Sequence, residues 1–215
     1  MSITTRRTGA LCLTAAALVV SSETLRLAVG LVWGRDATAT PTHTLTYVVA
    51  LAGMYALLLA LTAVFVGGRC ALGRLGLAGY LFAALGTVLV AGDWWFEAFV
   101  VPIIAAQAPG ILLLPPGGSV LAGAVITVVS FAVGWILFGL AVFRSGTYSR
   151  AAGVLLIIGG AGGAFALSTP YQIPLALAVG WLGVTLTRSS RHHLPVQQAS
   201  GTARHVPGAV PSTAR

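Results

Sequence analysis

Six long apolar runs separated by short polar breaks make up most of this chain. They cover roughly 8–33, 43–66, 75–101, 119–143, 150–168 and 172–187. The apolar residues fill these runs continuously instead of alternating with polar ones. Runs of about 18 or more such residues, at about 1.5 Å per residue, are long enough to cross a hydrocarbon core of about 30 Å. The breaks carry helix punctuation. Thr40-Pro41 or Thr42 starts the second helix and Gly67-Gly68 ends it. Ser119, after Pro115-Pro116-Gly117-Gly118, caps the fourth, and Ser149 caps the fifth. The sixth run is short, follows Pro170, and would span with little tilt.

This pattern predicts an all-α integral membrane protein. Residues 1–188 form one membrane domain, a bundle of six transmembrane helices, and 189–215 form a basic, polar tail. The tail holds too little apolar surface to order itself, so disorder is expected there. Composition agrees: 57% of residues are hydrophobic and 7% charged, against about 25% charged in a typical soluble domain. So few charges cannot cover a water-soluble globule of 215 residues.

Charge adds an orientation. All twelve basic residues are Arg, which GC-rich coding explains without a functional demand. Arg6, Arg7, Arg69, Arg74, Arg144, Arg150, Arg188, Arg191, Arg204 and Arg215 fall on one side of a six-span arrangement. Arg26 lies within the first run and Arg35 in an opposite loop. The positive-inside rule makes the Arg-rich side, with both termini, cytoplasmic. The expected location is the cell membrane, multi-pass, of the bacterial inner-membrane type. The expected partners are the bilayer and anionic headgroups at the cytoplasmic Arg residues, each worth up to about 1 kcal/mol. The net charge of +8 sits at segment ends and does not signal a nucleic-acid partner. A homo-oligomer or a membrane partner remains open. So does a cleaved leader, since Arg6-Arg7, Ala10–Val20 and Ser21-Ser22 read as a signal sequence would. Against it, Leu25–Trp33 continues the apolar run.

Charges inside spans cost about 2.5–3.5 kcal/mol each at the centre, so they tend to face the bundle interior and pair. Glu23 and Arg26, three apart, share a helical face and pair with each other. In the third run, stepping back from Glu97 by fours and threes gives Asp93, Val90, Gly86, Ala83, Gly79 and Gly76. A face of small residues marks a helix–helix interface, which turns both carboxylates inward. Counting from the cytoplasmic ends at about 1.5 Å per residue, Glu23, Arg26, Asp93 and Glu97 all reach the outer half. His43 and Tyr47, four apart, join that level. The expectation is an outer-leaflet cluster of Asp93, Glu97, Glu23, Arg26, His43 and Tyr47 that binds a proton, a cation or an amine. A competing reading places Trp94 and Trp95 in an interfacial aromatic belt, with both carboxylates reaching headgroups and water.

Gly76, Gly79, Ala83, Gly86, Gly159 and Gly163 are expected packing positions, the last two in a GxxxG spacing that serves either the monomer or a partner. The proline-broken stretch 103–118 would lie on the outer membrane face after a kink at Pro102, placed to cover the cluster. No cofactor or metal site is expected. Cys12 and Cys70 lack ligand spacing, His192-His193 lack partners, and no Walker, Rossmann, HExxH or GxSxG motif occurs. Three function classes stay open. They are binding or transport of a small molecule or ion, a membrane-embedded enzyme acting on a lipid or quinone, and a non-catalytic subunit or assembly factor.

Overall fold

The computed structural model describes residues 3–34, 38, 40–163 and 172–189. The tail beyond Ser189, Arg35 and the 164–168 end of the fifth run lie outside the described residues. Among the described residues the chain is helical throughout. The helices are α1 (Ile3–Trp33), α2 (Pro41–Phe99), α3 (Val101–Gln107), α4 (Gly118–Ser145), α5 (Arg150–Gly162) and α6 (Ile173–Ser189), with a 3₁₀ turn at Pro109–Leu113. Three helical stretches are long and apolar enough to cross a membrane: Thr5–Trp33, Pro41–Gln107 and Gly118–Ser145.

A straight helix of 59 residues would reach about 90 Å, three times a hydrocarbon core. It is not straight. Gly73 has φ 61° and ψ −157°, a backbone conformation that only glycine adopts at no steric cost. There the chain doubles back into two antiparallel arms, 41–72 and 74–99. Phe65 stacks on Tyr80 with ring centres 4.5 Å apart, and His43 meets Glu97 at the far end. Gly67-Gly68 therefore does not end the second helix. It runs on to Gly73, and the buried Gly68 accommodates the Tyr148 ring.

Every neighbouring pair of rods is antiparallel, and the glycines record the register. Gly9 of α1 faces Thr187, while Gly183 of α6 faces Cys12. Gly53 on the first arm faces Val19. Gly79 and Gly86 on the second arm face Phe138 and Phe131, and Gly134 of α4 returns the contact at Ala83. Gly153 and Gly160 of α5 meet Phe143 and Trp135, and Gly159 meets Leu175 of α6. The six rods thus close into a ring, with α6 packed back on α1. At most of these glycines a Cβ would strike the neighbour's backbone, so close approach and dispersion hold the seams.

The packing positions expected at Gly76, Gly79, Ala83 and Gly86 are buried, as that face requires. Gly159 and Gly163 are both used inside the molecule, against Leu175 and Phe131. The GxxxG face is thus occupied within the chain and is not free for a partner. Helix starts hold in part. Thr40 caps α2, accepting from the His43 amide at 3.3 Å, with Pro41 in the first turn. Ser149 is the N-cap of α5, but the N-cap of α4 is Gly117, not Ser119. α4 ends at Gly146 with φ 64°, a left-handed cap.

The two ends of the ring differ in charge. Arg6, Arg7, Arg69, Arg74, Arg144, Arg150 and Arg188 are all exposed at one end. Glu23, Asp93 and Glu97 lie in the half nearer the other end. Between them the core is apolar. Cys12, Leu61, Trp135, Phe138, Leu156 and Leu182 close around a void of about 10 Å³ whose apolar walls offer a water no hydrogen-bond partner. Large apolar side chains such as Leu31, Val66 and Leu59 face outward from the rods, where a bilayer would solvate them.

Candidate functional site

The polar residues converge where α1 meets the open end of the α2 hairpin. Glu23 lies one turn below Arg26 on α1, and the Arg26 guanidinium donates to Glu23 Oε1 at 2.9 Å. Glu23 is fully buried. Its second oxygen has no hydrogen-bond partner among the described residues. A buried carboxylate of this kind depends on its single cation.

Arg26 also lies near two aromatic rings. Its guanidinium carbon lies 5.3 Å from the centre of the Tyr47 ring and 5.6 Å from that of Trp94, within cation–π range. Trp94 is 1% exposed. It is a core residue and does not reach out to headgroups, whereas Trp95 is 52% exposed. The sequence carried a signal for this. Thr87, Ala91, Trp94 and Ala98 recur at helical spacing and are all buried.

His43 joins the two arms. Its Nε2 lies 3.1 Å from the carbonyl oxygen of Glu97 and 3.5 Å from Glu97 Oε2. A carbonyl only accepts, so in this contact Nε2 carries a proton and donates it. Tyr47, one turn along, packs on His43 with ring centres 4.6 Å apart. Above these groups lies a cavity of about 320 Å³, lined by Arg26, Val29, Gly30, Thr38, His43, Thr46, Tyr47 and Glu97. The Thr46 hydroxyl is engaged by the Thr42 carbonyl at 2.7 Å. No residue of 103–118 lines the cavity, so that stretch is not its lid.

Five of the six expected cluster residues are therefore brought together in one contact chain: Glu23, Arg26, Tyr47, His43 and Glu97. Asp93 is not in it. It sits one turn below Glu97 but on the α4 side of the arm, in a separate cleft with Leu89, Val120 and Thr127. Asp93 still lies within electrostatic reach of Glu97 and Arg26. Among the described residues no group of three or more His, Cys, Asp or Glu is placed to hold a metal ion. Comparison of the chain with protein-family profiles, with curated proteins and with solved structures finds no match.

Proposed function

We propose that this chain is a six-span membrane protein, with its Arg-rich end cytoplasmic, that binds a small organic cation in the cavity at its outer end. One observation carries the reading: four ionisable side chains line a cavity of about 320 Å³ in a chain with 7% charged residues. Their pairing gives the sign. Arg26 is neutralised by Glu23, and His43 uses its Nε2 proton on the Glu97 carbonyl. The Glu97 carboxylate, its side chain 33% exposed, is left as the charge an incoming ammonium would meet.

The two arms of α2, together with α1, α4, α5 and α6, supply six rods for six spans. Seven exposed Arg at one end support its cytoplasmic placement, in a cell membrane of the bacterial inner-membrane type. The apolar, closed core below the cavity favours binding from the outer side over an open path through the protein. The His43–Glu97 contact supports a second reading, acid–base chemistry on a lipid or quinone at the outer face.

The test is a melting-temperature series on the purified protein with ethanolamine, tetramethylammonium, acetate and glycerol. The two cations are expected to raise the melting temperature, and Glu97→Gln to abolish the rise. A rise with acetate alone, or one unchanged in Glu97→Gln, would overturn the reading.

A further inference from the structure

The second arm of α2 has two polar sides, and the one bearing Asp93 belongs to a different site. Asp93 opens into a cleft of about 420 Å³ between that arm and the first turns of α4. The other walls are apolar or small: Leu89, Val120, Gly123 and Ile126, with Val120 62% and Ile126 58% exposed. Gly123 gives the cleft its depth, because a Cβ there would meet nothing within 4 Å. The Thr127 hydroxyl is already donated to the Gly123 carbonyl at 2.9 Å. The carboxylate is thus the one charged group in the cleft. Arg26 is near enough to act on it through space, but it is bonded to Glu23 and no ion pair joins it to Asp93.

Asp93 is exposed in this cleft, where a carboxylate against apolar walls at the edge of a bilayer favours a cationic neighbour. We propose that this cleft is a headgroup site for a membrane lipid bearing a primary ammonium, of the phosphatidylethanolamine class. The charge selects a cationic head and rejects a purely anionic one. The hydrogen-bonding capacity of the carboxylate selects N–H donors over a quaternary ammonium, which has none. The exposed Val120 and Ile126 side chains continue from the carboxylate into the lipid-facing surface of α4 and take the acyl chains. A divalent metal would need more ligands than one carboxylate supplies.

The experiment uses the purified full-length protein in detergent. It is incubated with equal concentrations of dioleoyl phosphatidylethanolamine, phosphatidylcholine and phosphatidylglycerol, and bound lipid is read by native mass spectrometry. Phosphatidylethanolamine is expected to be retained above the other two. Asp93→Asn should reduce its retention about tenfold, the scale of one charge-assisted hydrogen bond. Gly123→Leu, which fills the cleft and leaves the charge in place, should reduce it comparably and serves if Asp93→Asn does not fold. Thr46→Val, which alters the lining of the other cavity without changing any charge, should leave retention unchanged, which separates this site from that cavity. Equal retention of the three lipids, or undiminished retention in both cleft variants, would overturn the proposal. Displacement of the lipid by free ethanolamine would overturn the lipid assignment in favour of a soluble amine.

Discussion

His43, in the first turn of α2, holds its Nε2 3.1 Å from the carbonyl oxygen of Glu97, in the last turn of the same helix. Fifty-four residues separate them in sequence, and Gly73 folds the chain between them. The bond therefore closes the open end of the hairpin. His43→Ala leaves a carbonyl without its donor and should cost about 1–3 kcal/mol. His43→Gln, whose amide can donate, should recover part of it. Melting temperatures of the two variants check this; equal losses would show that ring packing, not the bond, matters.

Arg26 is the single cation of a buried carboxylate, so removing it should cost more than removing both groups. Arg26→Met is expected to lose about 3–5 kcal/mol. The double variant Glu23→Gln/Arg26→Met should regain most of that. Denaturation of the wild type, both single variants and the double variant gives the coupling directly. Additive losses would mean that Arg26 acts through Tyr47 and Trp94 instead.

The seam between the second arm and α4 has no room for a side chain at Gly86, where a Cβ would meet the backbone of Phe131. Gly86→Leu should destabilise by about 3 kcal/mol or more. Gly92→Ala, with nothing within 4 Å of its added carbon, should be neutral or stabilising by up to about 1 kcal/mol. Thermal melts of the pair separate seam packing from helix propensity.

Tyr148, in the α4–α5 connection, donates its hydroxyl to the Val64 carbonyl at 2.8 Å. Burial pushes its pKa above the ordinary value of 10.0. The folded state then holds the proton more tightly than the unfolded state. The stability this supplies is complete below the unfolded value and is lost as pH rises through the higher folded one. Wild type should therefore lose stability above about pH 10 more steeply than Tyr148→Phe. Below that pH the variant should be weaker by about 0.5–1.5 kcal/mol. Melting temperatures of both proteins across this range decide it.

The native cysteines report orientation. Cys70 is exposed beside Arg69 at the Arg-rich end, and Cys12 is buried. A membrane-impermeant maleimide should label Cys70 in inside-out vesicles and not in intact cells, with Cys12 silent in both. Labelling in intact cells would reverse the orientation.

Much of this was legible in the residues because apolar runs and small-residue spacing report on solvent and on close packing. The face Gly76, Gly79, Ala83, Gly86 and Val90 is buried along its whole length. The Glu23–Arg26 pair follows from a spacing of three. What could not be read was which neighbour each face meets. Asp93 and Glu97 differ by about 40° around a helix axis, and on an arm flanked by α1 and the first arm on one side and α4 on the other, that angle decides the cavity each enters. The turn at Gly73 was hidden for a similar reason. Gly67, Gly68, Gly73 and Gly76 look alike in sequence, and only the packing of Tyr148, Leu72 and Ala141 around them selects the one that bends.

Closure of the ring by α6 on α1 has a consequence in time. The ribosome makes α1 well before α6, yet the Gly9, Cys12 and Ala16 face of α1 meets its partner only when Gly180 and Gly183 have emerged. Until then that flank has no α6 to pack on. A chain lacking α6 would therefore leave bare the small-residue edge of α1 that the closed ring conceals.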